Sequence, residues 1–574
     1  MGFRVIALLA FVWVSGAAAL VPPPSLKPEA PASPYLDRAQ AERLRQVFES
    51  LDDRQYQAAK DYRVGLTDAL AQRIATWSIL RSNAPDLIVE EYDVFLDANP
   101  DWPNPLTLQR KAEGLMDEDT PASTIIEFFQ NREPVSGFGK LHLGRALIEI
   151  GNRDAARTYI RKAWIEHNFN ARDSAMILRE FGRYLSQDDH FAKADQALFS
   201  RRTGGVEDVE DLLRGDRKKE ITVRRALILG RRSGLRAFDD LPARSQRDSG
   251  VLHAMTRYLR RNDREEEAIE MAGLAPINPD DLRNPAGWHY ERRLLARWSL
   301  KNGRFDDAYN LSAYSGLSSG VDFAEAEFMA GWVALRFLND PSRARAHFDF
   351  LITGVNSPIS LARGNYWLGR AYSAMGDETR ARSHYLVASD YPYTYYGQMS
   401  VETLGRGAPL FSFPEARVLT DADRELLRRR DLARALHILD HIDQDLTYRR
   451  FALALDDQLT EQGEILAFAE LVRDADEYDL IVRAGKATRR AGAAVPEVIY
   501  PVIPIPEAAT QFVEKPLILG LSRQESEFKV NAVSSARAKG LMQLLNSTAK
   551  ITARKEKLPY QPDRLLTDPD YNLT

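Results

Sequence analysis

Residues 144–163 read GRALIEIGNRDAARTYIRKA, and residues 369–388 read GRAYSAMGDETRARSHYLVA. The two segments align without a gap. Gly144, Gly151 and Ala156 match Gly369, Gly376 and Ala381, while Leu147 matches Tyr372, Ile160 matches Tyr385 and Ala163 matches Ala388. This pattern predicts two antiparallel helices. The second glycine ends the first helix in a left-handed turn, and the alanine lets the second helix pack close.

The alanine recurs at Ala194, Ala268, Ala308, Ala344 and Ala381, with the last three 36 and 37 residues apart. Ala156 to Ala194 is 38 residues, and Ala194 to Ala268 is 74, twice the period. A period in the thirties with Gly-then-Ala punctuation resembles tetratricopeptide-type helix–turn–helix repeats. The drift in spacing predicts a degenerate α-solenoid; the alternative is a set of unrelated amphipathic helices. Solenoids offer a concave surface for an extended partner. The aromatic cluster YPYTYYGQM at 391–399 reads as packing against the next segment, with stacking on a polymer as the alternative.

Strand signals are nearly absent, so the expected class is all-α. The expected organisation is a repeat domain over 36–404, a helical linker domain over 405–490, and a Pro-rich joint over 491–509 that holds Pro496, Pro501, Pro504 and Pro506. A last domain then occupies 510–574. The N-terminus, MGFRVIALLAFVWVSGAAALVPPP, has Arg4, an apolar run from Val5 to Val14 and small residues at Ala17 to Ala19. It reads as a secretory signal peptide over 1–19, followed by a Pro-rich leader over 20–35. The run is too short to span a bilayer, and no later segment is long and apolar enough. No Cys lies near the cleavage site, so no lipid anchor is expected.

The chain has 574 residues, a net charge of −5 and no Cys. The charge argues against a nucleic-acid partner. The missing Cys excludes thiolate zinc sites, thiol nucleophiles, disulfides and thioether-linked haem. Only 9 His are present, with no HExxH, so neither metal nor cofactor is expected.

Chemistry concentrates in SRQESEFKVNAVSSARAKGLMQLL, residues 522–545. The stretch before it, EKPLILGLSRQESEF, predicts a helix with Glu525 near its C-terminus. There the macrodipole disfavours an anion, and burial is expected to do the same. Both favour a proton held ready for general-acid work. Glu527, two residues on, faces elsewhere and is expected to be solvated. A turn follows, with Gly540 permitting close backbone approach. Met542 and Gln543 are expected to open the next helix, where a thioether and an amide suit a sugar surface.

Glu525, Ser526, Phe528, Ala532, Ser534, Ala538, Gly540, Leu541, Met542, Gln543 and Leu544 fit the pattern E-S-x-F, A-x-S, G-L-M-Q, as do Thr548 and Ala549. That pattern resembles the soluble lytic transglycosylases of the bacterial cell envelope, whose large members place an α-superhelix and a linker before a lysozyme-like domain. The resemblance implies cleavage of the bond between N-acetylmuramic acid and N-acetylglucosamine in peptidoglycan, leaving 1,6-anhydro ends. It implies Glu525 as the single acid/base, Ser526 near the substrate acetamido group, and Met542 and Gln543 lining the cleft. It also implies a soluble periplasmic monomer acting on glycan strands, with envelope proteins as further partners of the superhelix.

Arg537 stands where many members carry Gly, and Asn546 where Pro is common. In the family the segment leads on to another long helix and a Tyr-bearing motif. The sequence given stops at Thr574, so residues 510–574 are expected to form only the N-terminal part of that domain. Two alternatives remain at this stage. One is a hydrolytic muramidase using Asp563, Asp568 or Asp570 as second carboxylate. The other is a non-catalytic scaffold that binds envelope polymers.

Overall fold

The computed structural model describes residues 35–405, 418–475, 477–490, 495–511 and 513–574. The expected signal peptide and nearly all of the leader lie outside the described residues. The described chain is all-α, and its only β pairing is two isolated bridges near the C-terminus.

The repeat pattern resolves into helix pairs. Gly137–Glu149 pairs with Arg153–Glu166, Pro285–Lys301 with Phe305–Ala313, Gly320–Arg336 with Pro341–Thr353, and Pro358–Ala374 with Glu378–Ser389. Gly151 and Gly376 both take positive φ, at 84° and 80°. The next residue caps the second helix: Asn152 accepts from the Ala155 N–H at 3.4 Å, and Asp377 from that of Arg380 at 3.0 Å. Five residues after each turn, Ala156, Ala308, Ala344 and Ala381 are wholly buried. The first glycine of each motif serves close approach. A Cβ on Gly144 would stand 2.8 Å from Ile160, one on Gly331 2.6 Å from Phe348, and one on Gly369 2.5 Å from Tyr385. Each of these partners lies four residues past the buried alanine.

The left-handed turn five residues before a buried small residue also occurs where no glycine advertises it. Asn339 precedes Ala344, Asp263 precedes Ala268, and Arg54 precedes Ala59, with φ between 52° and 60°. The 74-residue gap holds the expected intervening pair, Gly215–Ile228 and Ser233–Asp239, joined through Gly230 at φ 75°. In the cluster at 391–399, Tyr396 packs inward on Tyr366 and Trp367, at 5.3 and 6.4 Å between ring centroids, while Tyr395 is exposed.

The helical path closes on itself. The first helices and those after residue 418 share one hydrophobic core, running through residues 36–146 and 427–498. Phe451, from the returning segment, stands edge-on to Trp77 at 5.0 Å and to Trp102 at 5.3 Å. Arg73 pairs with Asp431 at 2.5 Å, and Gln458 Nε2 donates to the Asp101 carbonyl at 2.7 Å. No helix among the described residues is long and apolar enough to cross a membrane.

Candidate active site

The helix Lys515–Ser526 carries Glu525 on its last turn, as the sequence predicts. It ends because Glu527 and Phe528 both take the left-handed conformation, at φ 54° and 69°. That costs roughly 1–2 kcal/mol for each side-chain-bearing residue. Phe528 offsets it by burial: it is 3% exposed and packs with Val482, Ile503 and Leu541. Burying a Phe side chain is worth about 1.5–3 kcal/mol. The same contact seats the C-terminal segment on the helix Tyr478–Arg490. Arg523 adds a second tie, donating from Nε to the Ile499 carbonyl at 2.8 Å and lying over Tyr500 at 4.7 Å.

Three expectations need correction. Glu525 is exposed rather than buried, because no described element packs over the helix face it shares with the exposed Leu517 and Leu521. Glu527 is not simply solvated; its left-handed backbone turns its carboxylate onto Lys486, with which it forms an ion pair. Met542 and Gln543 do not open the following helix, which runs Asn546–Lys555. They sit in a tight turn closed by paired bonds between Lys539 and Leu544, each 3.0 Å. The turn is forced by Gly540 at φ 75° and Gln543 at φ 47°, neither compatible with a helix start.

This turn is held against the Glu525 helix. Ser526 Oγ lies 2.9 Å from the Leu541 carbonyl and 3.0 Å from the Ser522 carbonyl, so its one proton is spent inside the protein. Ser522 Oγ contacts Met542 Sδ at 3.3 Å. The Leu541–Met542 segment thus lies against the last turns of the helix that carries Glu525. Gln543 is turned partly into its own loop, its Nε2 donating to the carbonyls of Gly540 at 2.9 Å and Ala532 at 3.2 Å. Ser534 braces the loop before it, accepting from the Ala538 N–H at 3.0 Å. Arg537 lies at φ 64°, the backbone that the glycine of the family pattern adopts without strain.

Of the late carboxylates, Asp568 is committed elsewhere. Asp568 caps the short helix Pro569–Leu573 through the Tyr571 N–H and pairs with Arg564. The Tyr571 N–H, followed by Arg564, holds its carboxyl below the ordinary 3.8. Sequence reasoning passed over Asn572, which is 4% exposed and accepts the Met542 N–H at 2.8 Å. It also passed over Lys486, since neither residue belongs to a local pattern with Glu525.

Comparison with solved structures defines the fold. The lytic transglycosylase Slt of Pseudomonas aeruginosa (an inactive mutant) superposes with a TM-score of 0.70 at 18% identity, covering 94% of this chain and 85% of that one. The 70 kDa soluble lytic transglycosylase of Escherichia coli gives 0.62 at 17% identity, covering 93% and 85%. At such identities the likeness is one of fold. More specifically, residues 504–574 match the family described as "Transglycosylase SLT domain". A Haemophilus influenzae protein described as "Putative soluble lytic murein transglycosylase" is 48% identical over 61 residues, which is 11% of this chain and 10% of that protein. The chain therefore has the soluble lytic transglycosylase fold and carries an SLT segment at its C-terminal end.

Proposed function

We propose that this protein is a peptidoglycan lytic transglycosylase of the bacterial periplasm, with Glu525 as its single acid/base. The SLT match over 504–574, which encloses Glu525 and the Gly540–Gln543 turn, is the observation that carries this reading. The exposed position of Glu525 at a helix end supports it, since the carboxyl is accessible to a polymer.

In this mechanism the Glu525 carboxyl gives its proton to the glycosidic oxygen as the bond to C1 of N-acetylmuramic acid breaks. Positive charge spreads over C1 and the ring oxygen. The carboxylate then takes the proton of the same sugar's C6 hydroxyl, whose oxygen attacks C1. The 1,6-anhydro ring closes, the acid is regenerated and no water is consumed. An intramolecular nucleophile supplies by proximity what a second carboxylate supplies in hydrolases. That fits a site in which Asp568 is committed to a helix cap. Met542, at the turn's edge, offers an apolar surface to the sugar.

The test is release of soluble muropeptides from purified peptidoglycan by the wild-type chain and by Glu525→Gln. Release by the wild type alone supports the reading. Equal release by both, or none by either, overturns it.

A further inference from the structure

Asn572 lies 47 residues after Glu525, on a helix that plays no part in the mechanism above. Its side chain is 4% exposed and nearly saturated with hydrogen bonds. Oδ1 accepts the Met542 N–H at 2.8 Å, while Nδ2 donates to the Leu565 carbonyl at 2.9 Å and the Lys539 carbonyl at 3.3 Å. The amide thus grips the 539–544 turn on both sides of Gly540. Gly540 makes room for it: a Cβ there would fall far inside contact distance of both Asn572 Nδ2 and the Leu565 carbonyl. Asn572 is itself fixed by its helix, its N–H bonding the Asp568 carbonyl at 3.1 Å.

The opposite side of the turn meets the helix of Glu525 through Ser526 Oγ on the Leu541 carbonyl and Ser522 Oγ on Met542 Sδ. The turn is therefore clamped between two walls. Ser522 and Ser526 provide the wall that carries the acid, and Asn572 provides the other. Removing the Asn572 amide takes away the partner of the Met542 N–H and of the Leu565 carbonyl, while the Lys539 carbonyl keeps the Leu544 N–H, and only one wall remains.

We propose that Asn572 is a positioning residue. It sets the Met542–Gln543 edge against Glu525 and so governs how well a glycan strand is held, without touching the reacting atoms. This rests on the transglycosylase reading. If the turn keeps its clamped geometry only a tenth of the time in Asn572→Ala, apparent affinity falls about tenfold. Bound glycan would draw the turn back, so turnover at saturation survives.

The experiment compares wild type, Asn572→Ala, Gly540→Ala and Glu525→Gln on soluble peptidoglycan glycan strands, together with hydrogen exchange of peptides covering 539–545. The expected result for Asn572→Ala is a KM raised about tenfold with kcat nearly unchanged, and faster exchange confined to the turn. Gly540→Ala should do the same and more, because its Cβ also meets the Leu565 carbonyl and its left-handed φ of 75° disfavours any side chain, so the double variant should exceed Asn572→Ala alone. A lower kcat with unchanged KM would mean only a smaller folded fraction and would overturn the proposal, as would unchanged exchange at 539–545. Should wild type and Glu525→Gln be equally inert, the transglycosylase reading fails on its own evidence. Exchange alone then decides whether Asn572 holds the turn.

Discussion

Replacing Phe451 with Ala tests whether the superhelix closes as described. Phe451 is fully buried in the core that joins the first helices to the returning ones. A Phe-to-Ala change in such a site costs about 3–5 kcal/mol, from lost transfer energy and the cavity left behind. Part of that cost belongs to the two edge-on ring contacts, with Trp77 at 5.0 Å and Trp102 at 5.3 Å. Each is worth about 0.5–1.5 kcal/mol beyond area burial. A double-mutant cycle isolates the first of them. Phe451→Leu and Trp77→Leu, singly and together, should give a coupling of about 1 kcal/mol in urea unfolding. The two residues lie 374 positions apart in the sequence, so nothing local can mimic that coupling. Additive single effects, or a Phe451→Ala cost below about 1 kcal/mol, would refute the closure.

Other consequences concern pH, turns and the seating of the C-terminal segment. Burial pushes the His253 imidazole down to about 4 from 6.5, between Phe199 and Trp288. The folded state thus favours neutral His253, and its contribution is intact above pH 6.5 and lost as pH falls toward 4. The loss there is on the order of 3 kcal/mol; His253→Phe should flatten that part of the stability curve, and an unchanged slope would contradict the burial argument. Arg537→Gly removes a left-handed side-chain residue at φ 64° and should stabilise by about 0.5–1 kcal/mol, read as a raised melting temperature. Gly376→Ala, at φ 80°, should cost about 1–2 kcal/mol, whereas Asn339→Gly should be near neutral because Asn already tolerates that backbone. Lys486→Met breaks the half-exposed pair with Glu527 and should cost under about 1 kcal/mol, while proteolysis near 527 becomes faster.

The repeat architecture was legible where backbone geometry restricts the choice of residue. A left-handed turn invites Gly, and close helix packing demands Ala, so Gly151 with Ala156 and Gly376 with Ala381 announce themselves. Where Asn339, Asp263 or Arg54 fills the same turn, the signal disappears although the geometry persists. The closure was invisible because Trp77 and Phe451 meet only in the folded chain. At the site, the helix carrying Glu525 and its end near Ser526 followed from pattern alone. The placement of Met542 and Gln543 did not: a helix-like string, LMQLL, is overridden by Gly540 and by Asn572, 30 residues beyond Met542. Glu525 was expected to be buried, but it is exposed, and Leu517 and Leu521 on the same helix also face outward.

The proposed chemistry turns on whether water enters the product. Peptidoglycan digested in water labelled with heavy oxygen, followed by mass spectrometry of the released muropeptides, answers this. Products one water lighter than reducing muropeptides, free of label and absent with Glu525→Gln, are the predicted result. Reducing ends that carry the label would contradict the intramolecular mechanism and assign a hydrolase instead.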